Sequence, residues 1–224
     1  MIKNISNLGD AALYCDFGIE VNKQINSEVI KYFNTIKEKN IEGINNLTPS
    51  YNKLIISYDL RVTNFKEIKD KIEKLDVGKV LKINNKKLEI PVCCDASFSL
   101  DMIRLENKLN LTKEKILENF FNKEFFCYMT GFIAGMPFLG DLDENMRVQR
   151  LETPRVKVPK GSVGITEQFA DIYTFESPGG WNIIGNTPLE VFDSTKEIEP
   201  NLINPGDTVK FKQITLDEYK NFNE

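Results

Sequence analysis

The sequence predicts an α+β fold, a small N-terminal α/β layer followed by an all-β barrel or sandwich. Three observations carry this reading. Strand and helix periodicities alternate through the first part of the chain, in an order suited to a split-βαβ unit. From Phe125 onward, short apolar runs alternate with Gly/Pro turns at close spacing. Between Gly131 and Asp193 glycine and proline are dense, and the stretch includes Ser177-Pro178-Gly179-Gly180-Trp181, which holds the single tryptophan.

Residues 11–17 alternate as a strand does. Ile25, Val29, Tyr32, Phe33 and Ile36 recur at i, i+4, i+7, i+8 and i+11, one face of a helix. Residues 44–47 and 54–58 read as two strands joined through Thr48-Pro49-Ser50. Asn64 is an N-cap with Glu67 three positions on, and Phe65, Ile68, Ile72 and Leu75 form the buried face of a second helix. Residues 86–93 are a further strand, placed at an edge or a strand end by Pro91, which has no N–H for a ladder. The resulting order, strand–helix–strand–strand–helix–strand, defines an N-terminal α+β domain over residues 1–88.

The barrel domain is expected over 89–224, with two leading helices. Leu100, Ile103 and Leu109 mark the first, and Ile116, Leu117, Phe120 and Phe121 the second, behind Thr112 as N-cap. Strands are expected at 125–129, 156–158, 163–165, 172–175, 183–184, 191–192 and 209–211. Asn204-Pro205-Gly206-Asp207 is a tight turn feeding the last of them.

The 224 residues are 41% hydrophobic and 28% charged, with a formal net charge of −4. That balance argues against a nucleic-acid binder, which carries a basic excess. No apolar run reaches the roughly 20 residues of a membrane span, and no basic-then-apolar leader opens the chain, so cytoplasm is expected. Cys15, Cys93, Cys94 and Cys127 show neither CxxC spacing nor a disulfide pattern and read as buried thiols. Histidine is absent, which removes Ser-His-Asp and Cys-His nucleophiles and His metal ligation; no metal ligand set is visible.

Candidate working residues lie in the Gly/Pro-rich region. Arg147, Arg150 and Arg155 fall close together, and arginine binds carboxylate or phosphate through charge-assisted bonds. Arg155 is the best placed, between Pro154 and a short strand. Gly161-Ser162-Val163-Gly164 and Gly179-Gly180 could expose backbone N–H groups to an anion, although no Walker or dinucleotide motif is present. Trp181 either stacks on a ligand or fills the barrel.

Several motifs resemble one family. They are Gly131-Phe132, Pro137-Phe138-Leu139-Gly140, Thr153-Pro154-Arg155, Val158-Pro159 with Gly161-Ser162-Val163-Gly164-Ile165, Ser177-Pro178-Gly179-Gly180-Trp181, and Thr187-Pro188. Gly9-Asp10-Ala11-Ala12-Leu13, Ile90-Pro91-Val92-Cys93 and Pro205-Gly206-Asp207 follow in family order, so the likeness covers nearly the whole chain. The family is that of the B-type component of bacterial 5-oxoprolinase, also known as allophanate hydrolase subunit 1, the carboxyltransferase C/D-type domain or the sporulation-kinase inhibitor family. The resemblance implies a cyclophilin-like C-terminal barrel. It also implies work with A-type and C-type partner subunits, converting 5-oxoproline and ATP to glutamate, ADP and phosphate, with ATP bound by or with those partners. Other members imply a different partner, a histidine kinase held inhibited, or a place in urea and allophanate cleavage. Arg155 and Ser162 would then be catalytic, and Arg150, Gly161, Ser177, Gly179, Gly180 and Trp181 would bind substrate. Phe120, Phe169, Ala170, Asp171 and Asn186 stand where the family carries polar or turn-forming residues, implying altered specificity or lost catalysis.

Overall fold

A computed structural model describes residues 1–78 and 85–222. Contacts divide the chain into Met1–Asn84 and Asn85–Glu224. In the first unit, β1 (Asn4–Asn7), β2 (Ala12–Asp16), β3 (Ile44–Pro49) and β4 (Lys53–Tyr58) form an antiparallel sheet in the order β1-β2-β4-β3. Helix α1 (Lys23–Lys39) starts where the Asn22 side chain accepts the Ile25 N–H, and it ends on Asn40 in the left-handed conformation. Helix α2 (Phe65–Glu73) is capped by Asn64 at the Glu67 N–H, as its sequence requires. Their apolar stripes supply Val29, Ile36, Ile68 and Ile72 to a core completed by Leu13, Leu54 and Ile56 from the sheet. Burying one such side chain contributes roughly 1.5–3 kcal/mol.

The split-βαβ arrangement is present, with one exchange. Its outer strand is β1, not residues 86–93. Asn-Ile-Ser-Asn offers a single buried apolar side chain, Ile5, so strand periodicity is invisible there. The pairing of β1 with β2 is carried by backbone bonds.

Residues 86–93 belong to the second unit. Strand β5 (Lys87–Cys93) runs parallel to β13 (Thr208–Ile214) along its whole length, so the chain divides before Asn85 and not after residue 88. Its other side meets β12 (Asn182–Asn186) only at Cys93, leaving room for Pro91 inside a closed barrel rather than at an edge. Next come α3 (Met102–Leu109), α4 (Lys113–Phe121), β6 (Glu124–Thr130), β7 (Pro137–Gly140) and β8 (Arg155–Val158). Then follow β9 (Ser162–Thr166), β10 (Phe169–Ile172) and β11 (Ser177–Gly179), while α5 (Leu216–Lys220) succeeds β13. The barrel closes in the order β10-β7-β6-β13-β5-β12-β9, and β8 with β11 forms a separate two-stranded ribbon. Two short strands, β7 and β11, escape the sequence pattern, and residues 191–192 make only a single bridge, Phe192 to Asn201.

Helix α3 corrects one expectation. Ile103 is 78% exposed, whereas Met102 and Leu105 are buried. Starting the helix at Met102 sets its phase so that 102, 105 and 109 share a face. All four cysteines are free and buried, and burial pushes the Cys15 and Cys94 thiols up to about 12. Among the described residues no helix is long and apolar enough to cross a membrane.

Candidate functional site

Arg155 opens β8 and pairs across the ribbon with Gly179. Its Nη2 donates to Asp101 Oδ1 at 2.6 Å, while Nη1 is buried without a hydrogen-bond partner. Asp101, 5% exposed, immediately precedes α3. Its second oxygen accepts the Ile183 N–H at 2.7 Å, and its own N–H donates to the Ile183 carbonyl at 3.0 Å. The carboxylate therefore clamps the guanidinium to β12 and fixes where it points.

Tyr173 lies beside this pair. A Cβ on Gly179 would collide with its hydroxyl, so glycine is required for the ribbon to approach. Burial pushes the pKa of that hydroxyl up, with Asp171 acting in the same sense, while the Trp181 backbone, Arg150 and Arg155 act in the opposite one. Arg150, exposed in the loop before the ribbon, rests on the next glycine, where a Cβ at Gly180 would stand 3.2 Å from its Nε and Nη2. The Ser177 hydroxyl is a further buried group without a partner.

Asp171 completes the cluster. It is 0% exposed in β10, and its Oδ1 accepts the Gly164 N–H at 2.9 Å while Oδ2 is unpartnered. Gly164 lacks the Cβ that would otherwise stand 2.6 Å from that Oδ1. Desolvation raises the Asp171 pKa well above its ordinary value, against the lowering effect of the Gly164 N–H, and so favours the protonated acid. An acid with a raised folded pKa stabilises fully below its unfolded value, about 4. That contribution fades as pH rises toward the folded value. Asp171→Asn keeps the shape and cannot ionise, so its stability advantage over wild type should widen from pH 5 to pH 8 in urea titrations. A gap independent of pH would refute the burial argument.

The structure brings Arg155, Arg150, Gly179 and Gly180 together with Tyr173, and Trp181 adjoins them, whereas Ser177 pairs across the ribbon with Val158. The Trp181 ring meets Phe138 edge-on at 5.6 Å and packs on the small core of Met136, Val158, Tyr173 and Ile183. Of its two expected roles, the filling one accounts for these contacts. Gly161 and Ser162 touch the cluster only through the backbone of Tyr173. The Gly161 N–H donates to the Tyr173 carbonyl, the Ser162 N–H to Pro159, and the Gly164 N–H to Asp171. The expected anion nest at 161–164 is therefore spent on the fold, and a phosphate chain does not fit it. Gly161 turns, at φ 80°, toward Asn186 and Thr187, where a separate surface cavity of about 410 Å³ opens beneath Tyr219. Ser162 is buried opposite Asn186 in the β9–β12 register. Arg147 donates instead to the Leu142 carbonyl at 3.3 Å.

Asp101, Asp171 and Tyr173 were not foreseen as site residues. Asp171 carried a signal, an acid between Ala170 and Ile172 in an apolar run. Asp101 carried none, since its partners lie 54 and 82 positions away.

A barrel-bearing α+β chain with a buried polar cluster thus defines the class. Residues 3–203 match the carboxyltransferase domain, subdomain C and D, and the chain belongs to that family. It is 32% identical to the B-type component of 5-oxoprolinase from Bacillus subtilis, over 98% of this chain and 96% of that protein. The crystal structure of TTHA0988 superposes with a TM-score of 0.82 at 27% identity. That match covers 91% of this chain and 40% of the longer one. The urea amidolyase of K. lactis shares the fold, with a TM-score of 0.78 at 19% identity, over 96% of this chain and 15% of that protein.

Proposed function

We propose that this chain is the B-type subunit of an ATP-dependent amide-cleaving assembly acting on 5-oxoproline, working with A- and C-type subunits in the cytoplasm. The observation that carries the reading is the guanidinium of Arg155. Asp101 fixes it from one side, its second terminal nitrogen is unpaired, and its charge is felt at the Tyr173 hydroxyl. With Arg150 flanking at Gly180, the cluster offers positive charge and hydroxyl donors to a carboxylate or to the oxyanion of an opening lactam. The engaged amides of Gly161, Ser162 and Gly164 support a reading in which ATP is bound by, or together with, the partner subunits.

The test is reconstitution of the three subunits and measurement of ATP-dependent glutamate release from 5-oxoproline. Arg155→Ala should lower kcat/KM by roughly 100-fold, the scale of losing one oriented donor. Arg155→Lys, which keeps the charge but not the fork, should recover part of that loss. Subunit assembly, followed by gel filtration, should be unchanged. Wild-type rates in Arg155→Ala would take the guanidinium out of the chemistry.

A further inference from the structure

Three guanidinium groups meet along the segment from Gly180 to Ile183. Arg150 lies over Gly180, where an added Cβ would stand 3.2 Å from its Nε and Nη2. Two residues on, the half-buried Arg104 of α3 donates through Nε to Asn182 Oδ1 at 2.9 Å. Its Nη2 approaches the carbonyl of Gln149, the residue before Arg150, at 3.5 Å. The third group, Arg155, is held by Asp101, whose other oxygen accepts the Ile183 N–H. Asp101 is the N-cap residue of α3, three positions before Arg104, so one end of one helix serves both arginines.

The neighbours fix where Arg104 points. Asn182 is fully buried, and its Nδ2 donates to the Gln149 and Ile165 carbonyls at 3.2 and 3.1 Å, which turns its Oδ1 to the guanidinium. The Leu151 N–H donates to the Gly180 carbonyl at 2.7 Å, holding the Arg150 loop on the same segment. Among the described residues, Asp101 is the one carboxylate ion-paired with any of the three arginines. Two of the three positive charges are therefore unmatched, in a chain whose formal net charge is −4. Like charges gathered in this way repel, and an arriving anion offsets that cost. The lactam 5-oxoproline brings a carboxylate when it binds and gains an oxyanion when its carbonyl is attacked, so its charge matches what the arginines leave over.

We propose that Arg104, with Arg150, binds the substrate's carboxylate and leaves Arg155 to the lactam oxygen, so that the site selects lactams bearing a carboxylate over neutral amides. The proposal rests on the 5-oxoproline reading above. In the reconstituted three-subunit assembly, Arg104→Gln should raise the KM for 5-oxoproline about tenfold or more, the scale of losing a charge-assisted bond. Its kcat should change less than about threefold, because the contact is made equally before and during the reaction. Arg104→Lys, which keeps the charge, should recover part of the KM. Inhibition by 2-pyrrolidinone, the same ring without the carboxylate, should be equal in wild type and Arg104→Gln. Lys108→Gln removes an exposed charge from the same helix and should leave both constants at their wild-type values. An unchanged KM in Arg104→Gln, or a fall in kcat alone, overturns the assignment and leaves the subunit reading standing. Inhibition by 2-pyrrolidinone that weakens in step with the KM would give Arg104 a role in shaping the fold, and overturns it as well. Absence of 5-oxoproline turnover by the wild-type assembly overturns both readings.

Discussion

Phe120→Ala is expected to cost about 3–5 kcal/mol of unfolding free energy, the scale of removing a fully buried phenyl ring from a packed core. Phe120 is completely buried on α4, stacked on Phe211 at 4.8 Å and tilted against Phe125 at 5.2 Å, with Phe121 edge-on at 5.5 Å. Phe211 and Phe125 come from β13 and β6, so this one ring fastens the helix onto the barrel wall. Phe120→His should cost about 1–3 kcal/mol, because the imidazole N–H would have no partner among phenyl rings. This gives a packing reason for phenylalanine where the family resemblance implies a polar residue. Urea titration followed by Trp181 fluorescence measures both variants. A loss below 1 kcal/mol for Phe120→Ala would mean that the cluster contributes little and that α4 is held by other contacts.

Much of the architecture was legible because local chemistry and long-range packing agree. The stripe of α1 and the caps at Asn64 and Thr112 need no tertiary information, since a helix face and an orphan N–H group are settled within a few residues. What escaped are elements defined by their partners. Strand β1 has one buried apolar residue, β7 begins with proline, and β11 is Ser-Pro-Gly; each is a strand because a neighbour offers hydrogen bonds. Strand β10 lies at Phe169–Ile172 rather than at 172–175 for a related reason. Its residues pair with β9 and β7, and Asp171 in its midst hides an otherwise apolar run.

The site divides along the same line. Gly179, Gly180 and Arg155 were readable, because paired glycines after a proline imply close approach and an arginine beside them implies an anion. Their purpose was not readable, since the approach is to Tyr173 and to Arg150 in the fold itself. The glycines at 161 and 164 misled in the opposite direction. Their amides serve Tyr173 and Asp171, so local composition resembling an anion nest became internal bonding.

Asp101→Ala should destabilise the chain by about 2–4 kcal/mol, below the range for fully buried pairs because Arg155 keeps 28% side-chain exposure. Two losses combine. The guanidinium is left as a partly buried cation with neither terminal nitrogen paired to a side chain, and the Ile183 N–H loses its acceptor in a buried strand. Asp101→Asn preserves one acceptor and removes the charge, so its cost should fall between alanine and wild type. Arg155→Ala in the Asp101→Ala background should then cost less than it does alone, with a coupling energy of about 1 kcal/mol or more. The same pair predicts function. If Asp101 orients Arg155, Asp101→Asn in the reconstituted assembly should lower kcat more than it raises KM, since a guanidinium that has lost its bearing still attracts an anion from a distance but no longer meets the charge where it develops. Additive stabilities together with an unchanged kcat would show that the two residues are neighbours without being coupled.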